Sequence, residues 1–338
     1  MQLKLATLCG VACLLSIGLN NCASTSNVGS NLKFPADLEQ PYLTLEQVVD
    51  GNASPEAGFW KRLSGKLFGP RNQYFLDHPS DITLDSQGRM LIVDSGRGGL
   101  HRFIKDAAVW RFDQYFSLPQ IKYPTAIAAG EQLLFISDLQ DKKIFILSED
   151  LVVQGEIANP EFKRPGDLCY DEHSQRLFIS DPPTGKVYIY SSAGEQMGIL
   201  GLDETGPGQL QNPISVAVDA GSGEIFVLDG LARKIKTYGS DLAFLSSFGK
   251  YDQVPGSFAF PKDVAQSQDG VLFVSDAAFG NIQMFDPSGA LLYFFGDNGT
   301  DPGQFLMPRN MYFDANQYLY VADPYNNRVQ IFQYHVQP

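Results

Sequence analysis

The sequence predicts an all-β fold in which six units of four strands each are set around an axis. Three regularities carry that prediction. An apolar run ends in aspartate six times, at Asp94, Asp138, Asp181, Asp229, Asp276 and Asp323, with intervals of 44, 43, 48, 47 and 47 residues. A proline opens each copy, at Pro79, Pro124, Pro165, Pro213, Pro261 and Pro308. An aliphatic residue follows each aspartate at a fixed six positions, at Leu100, Ile144, Val187, Ile235, Ile282 and Val329. A period of this size means one supersecondary unit per copy, stacked against its neighbours to bury a shared core.

Each element of the unit has its own signal. The proline marks the start of a first strand, where no ladder N–H is needed, and an apolar residue follows three positions later (Ile82, Ile127, Leu168, Val216, Val264, Met311). The second strand is the run LIVD, FISD, FISD, FVLD, FVSD or YVAD, in which the residue two before the aspartate is always Ile or Val. The invariant length of the loop after the aspartate implies one turn geometry repeated six times. The third strand follows, with a large apolar residue three positions past its first aliphatic one (Phe103, Leu147, Tyr190, Tyr238, Phe285, Phe332). EQMGILG, AFLSSFG and LLYFFG are fourth-strand candidates. Short strands bounded by Gly and Asp turns, without helical periodicity, describe a radial β array.

These residues resemble the six-bladed β-propeller built from NHL repeats. The last copy carries the resemblance best: MPRNMYFDANQYLYVADPYNNRVQIF holds the opening proline, the Tyr-Val-Ala-Asp end of the second strand, the Asn-Asn-Arg turn and an amphipathic third strand. The linkers GPGQLQNP, VPGSFAFP and DPGQFLMP look like NHL linkers, whereas the first three copies depart from the pattern, with Gly99 ahead of the third strand in copy one. The resemblance spans about residues 78–332 and implies a four-stranded blade per repeat. It says little about activity, because this fold hosts scaffolds, sensors and enzymes alike.

The last copy ends after its third strand, so the ring needs a closing strand from elsewhere, or it leaves an aggregation-prone edge. PYLTLEQVVD, residues 41–50, is expected to close the ring. The rival segment FWKRLSGKLFG has its apolar residues Phe59, Trp60, Leu63, Leu67 and Phe68 at helical spacing, and reads as a short amphipathic helix within a linker of residues 51–77. The propeller proper then occupies residues 78–338.

The first 22 residues have one lysine, an apolar core from Leu5 to Leu19 and no acid, the pattern of a signal peptide. Leu19-Asn20-Asn21-Cys22 resembles a bacterial lipobox, with Asn in place of the usual small residues. The expectation is a signal over residues 1–21, a lipid on Cys22, a tether over 22–40 and a place in the bacterial cell envelope, attached to a membrane and otherwise secreted. Cys169 is then the one thiol left in the mature chain once Cys9 and Cys13 leave with the signal, and it reads as a small core residue. A net charge of −13 argues against nucleic acid and anionic membrane surfaces as partners.

Two sets of residues are expected to border the channel mouth. Lys262 and Arg309, one position after their prolines, join Arg97, Phe279 and Tyr325 in the aspartate loops and Trp60 in the linker; mixed basic and aromatic groups suit an anionic or peptide ligand. Two positions after the prolines stand Asp81, Ala126, Asp167, Ser215, Asp263 and Asn310. This ring is expected to bond local backbone, and its oxygens also suit calcium. No Cys-x-x-Cys-His, Gly-x-Ser-x-Gly or phosphate loop is present, and the four histidines form no blade-to-blade zinc set of the kind used by NHL-type amidating lyases. The functional expectation is a non-catalytic binding or scaffolding module for a protein, peptide or glycan, without a cofactor. The alternative is a calcium-type, lactonase-like hydrolase with Asp81, Asp167, Asp263 and Asn310 as ligands.

Overall fold

A computed structural model of the protein describes residues 32–37, 40–50, 76–202 and 205–336. Residues 1–21, expected to form a signal, together with Cys22, Trp60 and almost all of the linker expected to carry a helix, lie outside the described residues. Within them, five antiparallel sheets have four strands and one has five, and the six sheets form the blades of a β-propeller.

Each second strand is apolar along its length because both of its faces are buried. In blade 1, Met90 and Ile92 enter the core shared with blade 6, while Leu91 and Val93 enter the core shared with blade 2. Alternate side chains of one strand therefore serve two different interfaces. Third strands do the same, and six such inter-blade cores replace a single central one.

The loop after each aspartate has the one geometry that its fixed length implies. The fourth residue past the aspartate is left-handed in every blade: Gly98, Lys142, Gly185, Arg233, Gly280 and Asn327 have φ of 68°, 55°, 65°, 56°, 63° and 52°. Four blades begin their first strand at the proline; in blades 3 and 6 the strand begins three residues later, at Leu168 and Met311. The intervening backbone still pairs there, with the Gly166 and Arg309 N–H groups donating to the carbonyls of Ser180 and Ala322.

The ring is closed by an N-terminal strand. Leu43–Asp50 pairs antiparallel with Arg328–Tyr334 and supplies the missing fourth strand of blade 6. Its Leu43, Leu45 and Val48 join the blade 5–6 core and Val49 the blade 6–1 core. Within the span 22–40 expected as a tether, Leu32–Phe34 forms a fifth strand on the outside of Leu43–Asp50. Its anchor is Phe34, whose ring packs 5.5 Å from Phe295 and 6.0 Å from Phe332, contacts that override a polar context.

Candidate functional site

The repeated aspartates build the mouth of the channel. Each is fully buried at the end of its second strand, and its carboxylate accepts backbone N–H groups from the residues just ahead of the opening proline. Asp94 receives Asp77 and His78, Asp138 receives Lys122 and Tyr123, and Asp181 receives Lys163 and Arg164. Asp229 receives Gln211 and Asn212, Asp276 receives Ala259 and Phe260, and Asp323 receives Leu306. The linker is thus held by its backbone, and the side chains beside the proline are free to differ from blade to blade. That division makes the mouth a place where chemistry varies on a constant frame.

At several of these positions the chain places cations or exposed aromatics. Lys262 lies with its ammonium 3.4 Å from the centre of the Phe260 ring. Burial pushes its amine down to about 8, and the positive charges of Arg309, Arg233 and Arg164 push the same way. Asp276 opposes that shift, but its oxygens already accept the N–H groups of Ala259, Phe260 and Ala278. Arg309 has its Nε buried without a hydrogen-bond partner. Its charge also acts on His78, whose imidazole is held below its ordinary range first by burial and then by that guanidinium. His78 in turn meets the Tyr325 ring edge-on at 5.3 Å. Arg233 lies over Tyr251 at 5.7 Å and donates to the Ala259 carbonyl.

Of the residues expected around the funnel, Lys262 and Arg309 come together, and Tyr325 joins them through His78. Arg97 turns outward instead: its guanidinium sits 5.0 Å from the ring of Tyr115 in the fourth strand of blade 1. Phe279 is half-buried in the loop after Asp276 and makes no described contact with the cations. Three members of the cluster were not expected from sequence. His78 and Arg164 directly precede their prolines, and Arg233 holds the left-handed position after Asp229, so a comparison of those positions across the six copies would have found them.

Below the mouth, the channel holds a cavity of about 180 Å³ lined by the first strands, including Asp81, Asp167, Cys169, Asp263 and Asn310. The oxygen ring bonds backbone both locally, as at the Ile82 N–H, and across blades. Asp81, Asp167 and Asp263 accept the N–H groups of Ile127, Val216 and Met311, each in the first strand of the next blade. The remaining oxygens are also engaged: Asp81 with the Ile82 N–H, Asp167 with Asn310 Nδ2, and Asp263 with the Ser215 hydroxyl. Burial raises all three carboxyls, Asp167 to about 6 and Asp81 and Asp263 well above the ordinary carboxylate range, and the Asp167 charge adds to the rise in its two partners. Among the described residues, no cluster of three or more His, Cys, Asp or Glu is arranged to hold a metal. Cys169 is half-buried on this wall, and burial with the nearby carboxylates raises its thiol far above the usual range.

No protein-family model matches the chain, and no curated protein is similar to it in sequence. Solved structures share the fold. Selenomethionine-substituted virginiamycin B lyase from Staphylococcus aureus superposes with a TM-score of 0.56 at 11% identity, over 77% of this chain and 96% of that one. A streptogramin B lyase gives 0.54 at 14% identity, over 75% and 78%. A chain of a nidogen/laminin complex gives 0.55 at 13% identity, over 66% and 81%. A lyase and a protein-binding assembly on one scaffold show a propeller module and nothing narrower.

Proposed function

We propose that the protein is a non-catalytic binding or scaffolding module of the NHL-repeat kind, exported to the bacterial cell envelope, attached there through lipid on Cys22, and engaging a protein, peptide or glycan on the face that carries the aspartate loops. The observation that supports this reading is the cluster of Lys262, Arg309, Arg233 and Arg164 at the mouth of a chain with net charge −13. Like charges held close together are unfavourable in the free protein, and a bound anion relieves them. The proposal needs no cofactor: the channel acids serve as ties between blades, and Cys169 is not activated.

The test is recovery of the native partner from solubilised membranes on immobilised protein. Lys262→Ala combined with Arg309→Ala is expected to reduce recovery while leaving the melting temperature unchanged. Unchanged recovery, together with its loss on substitution around His173 and Gly221 in turns at the opposite end, would place the working surface on the wrong face.

A further inference from the structure

The chemistry around the cations narrows the ligand. Beside them, large apolar side chains stand in solvent: Leu231 is 66% exposed, Tyr251 63%, Tyr325 51%, Phe260 43% and Tyr123 43%. All five belong to the loops after the aspartates or to the linkers that lead into the prolines, so they share one end of the molecule. The first-to-second-strand turns at the other end are unlike this. Asp85, Asp171, Asp219 and Asp314 occupy them and cap the turn backbone through N–H groups such as those of Gln87, His173, Gly221 and Asn316. The first-to-second-strand turns are therefore acidic and closed on themselves, whereas the mouth carries cations with exposed apolar side chains beside them.

Arginine, tyrosine and phenylalanine beside one another are the side chains enriched at the centres of protein interfaces. Phosphate or another small oxyanion would satisfy the cations but would leave the apolar neighbours in water. We propose, resting on the loop-face reading above, that the partner is an acidic polypeptide segment, whose carboxylates meet Lys262, Arg309, Arg233 and Arg164 across the mouth while its apolar side chains lie against Phe260, Tyr251 and Leu231. Because the whole chain is acidic, long-range charge opposes such a partner, and local complementarity must overcome it.

The depressed amine of Lys262 supports the same geometry. A carboxylate beside it favours the charged form, so binding draws a proton and weakens as pH rises from about 8 toward the ordinary lysine range. The groups that set this behaviour are the Arg309, Arg233 and Arg164 cations and the Asp276 carboxylate.

Fluorescein-labelled oligo-glutamate, with oligo-glutamine as the neutral control, tests the inference on the full protein by fluorescence anisotropy. Oligo-glutamate is expected to bind and oligo-glutamine not, with affinity falling as salt is raised. Lys262→Ala with Arg309→Ala should weaken binding about tenfold or more, and Lys262→Gln alone provides a milder variant if the pair fails to fold. Phe260→Ala should weaken binding of a labelled glutamate–phenylalanine co-oligomer more than that of oligo-glutamate, and this outcome separates a polypeptide from a simple counter-ion; an equal effect on both would overturn the apolar contact. Absence of oligo-glutamate binding, binding indifferent to these substitutions, or binding of tripolyphosphate or heparin in its place would overturn the inference. If membrane recovery still depends on Lys262 and Arg309 in that case, the loop-face reading stands and only the ligand class falls; if recovery is indifferent as well, both fall.

Discussion

The seam of the ring offers the sharpest test of how the chain holds itself closed. Gln47 lies in the closing strand, next to a bulge between Leu45 and Gln47, and is 3% exposed. Its Nε2 donates to the Trp110 carbonyl at 3.0 Å, and its Oε1 accepts the Trp110 N–H at 2.9 Å. Trp110 belongs to the fourth strand of blade 1, the outer edge of its sheet, so one amide side chain pairs with that edge as a neighbouring strand would. Gln47→Met keeps the length and apolar contact but leaves two buried backbone groups without partners. Each such group costs about 1–3 kcal/mol, so the pair should cost roughly 3 kcal/mol after some relaxation. For a domain of this size that corresponds to a fall in melting temperature of about 5 °C. Urea unfolding followed by tryptophan fluorescence measures it, with Thr44→Ala, which removes an exposed hydroxyl contact to His335, as a control expected to stay within about 0.5 kcal/mol. A Gln47→Met protein as stable as the control would refute the idea that this amide clamps the seam, and would leave closure to the apolar residues of the strand alone.

Other expectations follow from the same structure. Asp276→Ala removes the acceptor of the Ala259, Phe260 and Ala278 N–H groups, and should cost about 3–5 kcal/mol in urea unfolding while also weakening partner recovery, because Phe260 and Lys262 hang on that linker; an unaffected recovery would separate the frame from the site. Asp167 has a carboxyl raised to about 6 in the folded state, so it binds its proton more tightly there than in the unfolded chain, and its contribution to stability is lost as pH rises through that value. Asp167→Asn should therefore gain stability relative to the native protein as pH goes from about 4 to above 6, and parallel stability curves for the two proteins would contradict the assignment. Cys22→Ala should release the protein from membranes into the soluble fraction without changing its melting temperature, and retention would reject the lipid anchor.

The sequence by itself determined the number of blades, the order of strands within each and the structural character of the aspartates. It could do so because those demands recur: every blade must bury both faces of its second strand and satisfy the same linker N–H groups, so the same residue types return at the same spacing. Residues 41–50 were legible as the closing strand because their length and β-rich content matched the missing fourth strand of the last copy. Leu32–Phe34 was not, because three residues carry no periodicity and its place rests on Phe34 finding Phe295 and Phe332, far away in the chain. The site divides in the same way. Lys262 and Arg309 could be picked out as departures from the repeat, but the convergence of Arg164, Arg233 and His78 on them depends on which blades adjoin across the axis. Arg97 shows the converse, since an equally conspicuous loop cation is drawn outward by Tyr115. Only the tertiary structure decided that Asp81, Asp167 and Asp263 tie blade 1 to blade 2, blade 3 to blade 4 and blade 5 to blade 6, because their N–H partners lie between 46 and 49 residues downstream, in the first strand of the neighbouring blade, and no local pattern can show which of two adjacent backbones a carboxylate will reach.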